Sequence, residues 1–215
     1  MKKWIDFTRP IPDIEGKNPT HREYIIPIVA AGRSLTGICH SFSFDGMSGT
    51  YIDFPGHIRE CDNGIHAGNI SIEPLLSMET TLIRLTLPLG KREITRKDLE
   101  STGVKVRGRA LIVHVLGSYD DEDFPVKTLP YFSSDTFSFF TESNIMIFAS
   151  DVYENRGAGG MTGIFEALFS AGILCICKLT NLHQIQGSYL TTSVLFNKHP
   201  GVVQLPCRFV GYEET

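Results

Sequence analysis

The chain has 215 residues, of which 42% are hydrophobic and 20% charged, and its formal net charge is −4 at pH 7. This length supports a well-buried core, and no Pro/Gly/Ser-rich linker divides it, so we predict one domain over residues 1–215. The small negative charge excludes an electrostatic footprint for nucleic acid or an anionic membrane. No apolar run approaches the roughly 18 residues of a membrane span, and the N-terminus lacks the apolar core of a signal peptide. We therefore expect no membrane partner and a cytoplasmic location.

The first third of the chain has the pattern of β-structure. Residues 24–29 and 36–44 are apolar or alternating. The segment between them contains Gly32, so the two runs predict a β-hairpin. The hairpin ends just before the stretch Met47–His57, which holds two glycines and several ionisable side chains.

The stretch Met47–His57 is the main candidate for a functional site. If it is extended, alternate side chains lie on one side, which brings Met47, Tyr51, Asp53 and His57 together. Pro55 argues that the strand ends there, because proline cannot donate a hydrogen bond within a central ladder. The pattern predicts a strand that runs into a pocket.

Strands and helices then alternate along the chain. A capping box at Thr95–Asp98 predicts a helix that Gly103 ends. Periodicity and turn residues predict strands at 80–87, 110–116, 145–149, 173–179, 189–196 and 202–210, and helices at 133–142 and 162–172. Asp151 directly follows a predicted strand, at the edge where layered α/β proteins form pockets, so it is a candidate binding residue.

The five cysteines show neither the spacing of a zinc knuckle nor that of a disulfide framework. Cys175 and Cys177 lie in an apolar run. Because cysteine packs as a small hydrophobe, we interpret this run as a buried strand rather than a metal hook.

The order of these segments resembles that of the putative cyclase family, which includes bacterial kynurenine formamidases and isatin hydrolases. The resemblance rests on the opening Ile5-Asp6-Phe7-Thr8 and on a motif that reads His-x-Gly-Thr-His-x-Asp-x-Pro-x-His in the family and Met47-x-Gly49-Thr50-Tyr51-x-Asp53-x-Pro55-x-His57 here. Further similar segments are Ile72–Leu76, Ala149–Asp151, Thr180–Leu182 and Leu205–Arg208. The resemblance implies an α/β fold of the swivelling β/β/α type, with a mixed sheet and a few packed helices. It also implies a homo-oligomer, a dimer or tetramer, and in active members a divalent metal that hydrolyses an amide or lactam bond.

The departures from the family concern its metal ligands. Met47 and Tyr51 stand at two motif histidines, and aligning the later segments puts Phe165 at a third histidine and Lys178 at a glutamate. Four of the six ligands implied by the resemblance are replaced, which leaves Asp53 and His57 as the remnant pair.

Two protein ligands are too few for a catalytic zinc ion, which usually takes about three. We therefore expect no cofactor; the alternative is a divalent ion such as zinc or manganese. We further hypothesise that the Lys178 ammonium replaces the metal's charge and pairs with Asp53, because a buried unpaired carboxylate is costly. A plainer interpretation is that Met47 and Tyr51 fill the vacated space.

Two classes of function follow. The first is a non-metal pseudoenzyme, which keeps the fold as a small-molecule-binding or scaffold protein without turnover. The second is an active hydrolase of amide or lactam C–N bonds that uses an unusual metal site or a metal-free set of Tyr51, His57 and Lys178. A metal site rebuilt from distant residues, among them His40, Glu60, Cys61 and His66, stays open as well.

Overall fold

Twelve strands and three α-helices make up the regular structure of the described residues. The computed structural model describes residues 2–11, 21–88, 91–125, 128–152 and 163–213. The strands are β1 (Lys3–Asp6), β2 (His21–Ala30), β3 (Arg33–Phe42), β4 (Tyr51–Asp53), β5 (Met78–Arg84), β6 (Glu93–Ile94), β7 (Ala110–His114), β8 (Tyr131–Phe132), β9 (Ile147–Ser150), β10 (Leu174–Cys177), β11 (Tyr189–Phe196) and β12 (Gln204–Glu213). The helices are α1 (Arg96–Ser101), α2 (Asp135–Glu142) and α3 (Ile164–Ser170).

A mixed sheet closes on itself to form a barrel. The strand order is β1-β12-β11-β5-β7-β9-β10-β4, and a further pairing of β12 with β4 closes the circle. The long strand β12 allows this closure because one edge pairs with β11, while the other pairs first with β4 and then with β1. Strands β5, β7, β9 and β10 are parallel neighbours, and β4 runs antiparallel to both of its partners.

Two apolar clusters lie on opposite sides of this sheet. The barrel interior contains Ile52, Leu82, Ile112 and Ile176. The second cluster lies outside the barrel, where α1, α2 and α3 cover the sheet, and it contains Tyr51. Successive residues of β4 therefore alternate between the barrel interior and the helical layer, as the pleat requires.

The predicted β-hairpin is confirmed as β2 and β3. Ala31 and Gly32 connect its strands with φ angles of +50° and +73°, which is the left-handed backbone of a tight hairpin turn. The hairpin is solvent-exposed although it is rich in apolar residues, and Ile25, Val29 and Ile38 are 67%, 79% and 62% exposed.

The predicted helices are confirmed, with shifts of a few residues at their ends. Thr95 and Asp98 form the predicted capping box at the start of α1, and Gly103 follows its end with a φ of +69°. Thr162, predicted to cap α3, lies outside the described residues, where α3 begins after Gly163. Within the described part of the chain, no helix has the length and apolar character needed to cross a membrane.

Candidate functional site

The central stretch is extended over three residues only. Strand β4 ends at Asp53, and a 3₁₀ turn over Pro55–His57 follows. The predicted alternation therefore holds for Tyr51 and Asp53, which both face the helical layer, but it does not extend to Met47 and His57. Gly49 precedes the strand with a φ of +62°, and a Cβ atom there would lie 2.7 Å from the Arg9 carbonyl oxygen. The motif glycine thus allows a close approach of the chain's own backbone.

Asp53 is the most unusual group of the stretch. Its residue is 2% exposed, and its Oδ1 atom has no hydrogen-bond partner among the described residues. Burial raises the pKa of this carboxyl to about 7, and a hydrogen bond from the Gln204 side chain opposes the rise. Desolvation disfavours the charged form and outweighs a single neutral donor.

Gln204 links Asp53 to His57. It opens β12 directly opposite Asp53 in the strand register, and its Nε2 atom lies 3.4 Å from the His57 Nε2 atom. The amide nitrogen of Gln204 carries two hydrogens, so one is donated to the Asp53 carboxyl group and the other to the His57 ring. Partial burial lowers the pKa of His57, which favours the neutral ring that accepts such a bond. Sequence reasoning missed Gln204, because its role depends on pairing with a strand distant in the chain.

The predicted ion pair between Lys178 and Asp53 is not formed. The Lys178 Nζ atom donates a hydrogen bond to the Met47 carbonyl oxygen over 3.2 Å and lies 5.8 Å from the centre of the Tyr51 ring. Lys178 stands just after β10 with a φ of +58°, a left-handed conformation that ends the strand's alternation. The ammonium therefore donates to a backbone oxygen in the segment that precedes β4, and the neutral amide of Gln204 hydrogen-bonds to Asp53 instead.

The residues at the three positions where the resemblance implies histidines have different surroundings. Tyr51 is buried and hydrogen-bonds to the Cys177 side chain, so it does fill space inside the helical layer. Met47 is 47% exposed and fills none. Phe165 stacks on Phe169 of the same helix, with ring centres 5.7 Å apart, and the rings of Phe169 and His57 are perpendicular, with centres 6.3 Å apart. Aromatic side chains thus line the side of α3 that faces the site.

The described donors do not suit a catalytic divalent metal. Cys175 and Cys177 are buried in β10, as predicted, and burial raises the pKa of both thiols well above the normal range, with the Asp53 charge adding to the effect. A thiol binds metal as the thiolate, which this environment disfavours. Among the described residues no group of three or more His, Cys, Asp or Glu side chains is placed to hold a metal ion, and this includes His40, Glu60, Cys61 and His66. The remnant pair Asp53 and His57 therefore has no third ligand of these types within the described part of the chain.

Asp151 has a different set of contacts. It is 3% exposed and accepts hydrogen bonds from the His114 Nδ1 atom over 2.7 Å and from the backbone amides of Val115 and Leu116 over 2.9 Å each. These bonds tie the end of β9 to the end of β7, and none of them involves Asp53 or His57. His114 is the last residue of β7 and Asp151 directly follows β9, so both lie at the same edge of neighbouring strands; of the two, the sequence predicted this position for Asp151.

Comparisons with known proteins agree with this architecture. A model of the family described as Putative cyclase matches residues 5–154. No curated protein sequence matches the chain significantly. A predicted metal-dependent hydrolase from Bacillus stearothermophilus has a similar solved structure, with 19% identity, a TM-score of 0.67 and complete coverage of both chains.

Two further solved structures extend the comparison. Isatin hydrolase A from Labrenzia aggregata, bound to benzyl benzoate, has 18% identity and a TM-score of 0.68 over 98% of this chain and 93% of its own. A structure described as a novel cyclase has 14% identity and a TM-score of 0.71 over 99% of this chain and 89% of its own. The predicted mixed α/β fold of the cyclase type is confirmed by these likenesses.

Proposed function

The chain belongs to the Putative cyclase family, and we propose that it binds a small molecule at Asp53 without the metal-dependent hydrolysis of its relatives. The observation that carries the proposal is the Asp53 carboxyl itself. It is buried, its Oδ1 atom has no partner among the described residues, and its pKa is raised to about 7. A buried polar atom without a partner costs free energy that a bound ligand can recover.

The chemistry of Asp53 indicates the class of ligand. Near neutral pH the carboxyl exchanges between a form that donates a hydrogen bond and a form that only accepts. A neutral amide or lactam offers both an acceptor oxygen and a donor N–H, so it satisfies either form. Isatin, the compound in the name of one similar structure, carries such a lactam. Phe165, which is half-buried and stacks on the buried Phe169, supplies an apolar surface on the side of the site formed by α3.

The experiment combines metal analysis, calorimetry and turnover assays on the purified protein. We expect isatin to bind in the presence of a chelator, and Asp53→Ala to weaken binding by about tenfold or more, the effect of one buried hydrogen bond to a charged or shared-proton group. Lys178→Met is the matched control, since its ammonium does not contact Asp53. Stoichiometric zinc or manganese, together with hydrolysis of isatin or N-formylkynurenine that His57→Ala abolishes, would overturn the proposal.

The second candidate is a hydrolase of amide or lactam C–N bonds, favoured by the Gln204 link between Asp53 and His57. A carboxyl of pKa about 7 beside a neutral imidazole is an arrangement suited to general acid–base catalysis. The metal-free set predicted from the sequence also included Tyr51 and Lys178, but these two side chains have other contacts. In this candidate function, Asp53 therefore replaces them as the acid–base partner of His57. Turnover in chelator that Asp53→Asn abolishes would favour this function over binding alone.

We also propose that the protein is a homo-oligomer, supported by the exposed hairpin of β2 and β3. Its apolar residues lie on both faces, and the hairpin's 20 strand residues equal the number that one side of a standard interface uses, about 20–30. Light scattering on the wild type and on Ile25→Lys/Val29→Lys tests this: we expect a dimer or tetramer that the double substitution dissociates. A monomeric wild type would contradict it.

A further inference from the structure

A cavity opens at the end of strands β5 and β7, away from Asp53. Its volume is about 640 Å³, within the usual range for small-molecule sites. Apolar side chains form much of its wall, among them Leu85, Leu87, Val115 and Phe124. None of the residues that line it belongs to the site around Asp53.

Three cationic side chains line this cavity, and the lining contains no carboxylate among the described residues. Lys91 is neutralised, because its Nζ atom lies 2.6 Å from both carboxylate oxygens of Asp98. Arg84 and Arg92 instead bond to carbonyl oxygens: the Arg84 Nη2 atom to Ile185 over 2.6 Å, and the Arg92 Nε and Nη2 atoms to Leu129 over 3.2 and 3.0 Å. Two positive charges therefore have no counter-charge among the described residues of the cavity wall.

These carbonyl bonds also orient the two guanidinium groups. Each arginine is held by part of its set of five donors and retains others. A guanidinium fixed in this way binds a planar carboxylate at a smaller entropic cost than a mobile lysine does. The cavity thus combines an apolar wall with positioned groups for one anion.

His114 adds a buried polar group to the same cavity. It lines the cavity, is 2% exposed, and lies beside Arg84 in the register of β5 and β7. Its Nδ1 atom is bound to the Asp151 carboxylate, which accepts but cannot donate when ionised, so we assign the proton to Nδ1. The Nε2 atom then carries a lone pair, and no described residue hydrogen-bonds to it.

We propose that this cavity binds a small organic carboxylate with an apolar body and a hydroxyl group. Arg84 and Arg92 bind the carboxylate, the leucine, valine and phenylalanine side chains pack on the body, and the hydroxyl donates to the Nε2 atom of His114. Asp151 is a positioning residue that fixes the tautomer and the orientation of this imidazole. The site is separate from the function proposed for Asp53 and does not depend on it.

Calorimetry on the full chain tests the proposal with the three hydroxybenzoate isomers as probes. We expect at least one isomer to bind saturably at one site. The neutral amide of that isomer should bind more weakly by a factor of about ten or more, because a buried charge-assisted hydrogen bond is lost. Arg84→Gln and Arg92→Gln should each weaken binding, whereas the matched control Arg107→Gln, whose guanidinium stacks on Tyr189, should not.

The other arms separate this site from alternatives. Benzoate lacks the hydroxyl and should bind more weakly than the best hydroxybenzoate. Asp53→Asn should leave hydroxybenzoate binding unchanged, so failure here and failure at Asp53 are distinguishable. The proposal would be overturned if no isomer binds saturably, or if both arginine variants bind as tightly as the wild type. Loss of hydroxybenzoate binding in Asp53→Asn, or tighter binding of inorganic phosphate than of hydroxybenzoate, would also overturn it.

Discussion

Two buried aspartates on the same sheet have opposite surroundings. Asp151 accepts hydrogen bonds from one imidazole and two backbone amides, whereas Asp53 receives one bond from Gln204 and keeps Oδ1 without a partner among the described residues. Their exposures, 3% and 2%, are almost equal. Burial alone therefore does not distinguish these two carboxyl groups; the number of hydrogen-bond donors around each does.

The donors explain the difference physically. Three donors around Asp151 replace the water that its carboxyl group loses on burial, and their hydrogen bonds join the ends of two strands. Asp53 has only a neutral amide, and the carboxyl adapts by raising its pKa to about 7. Perturbed groups of this kind concentrate at functional sites.

The largest effect is expected for Asp151→Ala. The substitution leaves His114 and two backbone amides at a buried position without their acceptor, and each unsatisfied donor costs about 1–3 kcal/mol, so the free energy of unfolding should fall by about 3 kcal/mol or more. Urea denaturation followed by circular dichroism measures the change. A loss of less than about 1 kcal/mol is as small as the effect of many surface substitutions, and it would show that Asp151 does not join the strands.

Asp53→Asn should change the pH dependence of stability. Because the pKa in the folded state, about 7, exceeds the ordinary value of 3.8, the folded wild type binds more protons than the unfolded chain between these limits. Its stability therefore falls as pH rises through this window, by up to roughly 4 kcal/mol at 1.36 kcal/mol per pKa unit. The variant lacks this proton uptake.

The measurement is urea denaturation of wild type and Asp53→Asn at several values between pH 5 and 8.5. The advantage of the variant should grow with pH and level off above pH 7. Asp151→Asn is the matched control, expected to be destabilised throughout. Parallel pH profiles for wild type and Asp53→Asn would mean that Asp53 is ionised and well solvated by its surroundings.

The smallest effect is expected for Lys178→Met. Its ammonium makes one hydrogen bond to the Met47 carbonyl and one distant contact with Tyr51, so the cost should be about 1 kcal/mol or less. Breaking a buried ion pair would cost about 3–5 kcal/mol instead. A loss of that size would restore the pairing with Asp53 that was expected from the sequence.

Much of the local structure was predictable because short-range rules decide it. The capping box of Thr95 and Asp98, the hairpin turn at Ala31 and Gly32, and the buried strand of Cys175 and Cys177 each depend on neighbouring residues. The family resemblance likewise located Asp53 and His57. The length of β4 was overestimated, since the turn at Pro55 and the left-handed Gly49 cut short the alternation.

The sequence by itself determined the order of the elements and placed Asp53 and His57 in the central stretch. Only the tertiary structure decided which side chains form hydrogen bonds with Asp53 and His57. Strand register placed Gln204 opposite Asp53, and the left-handed backbone at Lys178 directed its ammonium to Met47. The physical reason is that cross-strand pairing joins residues far apart in the chain, and the direction of a side chain after a strand depends on a backbone angle that residue type does not specify.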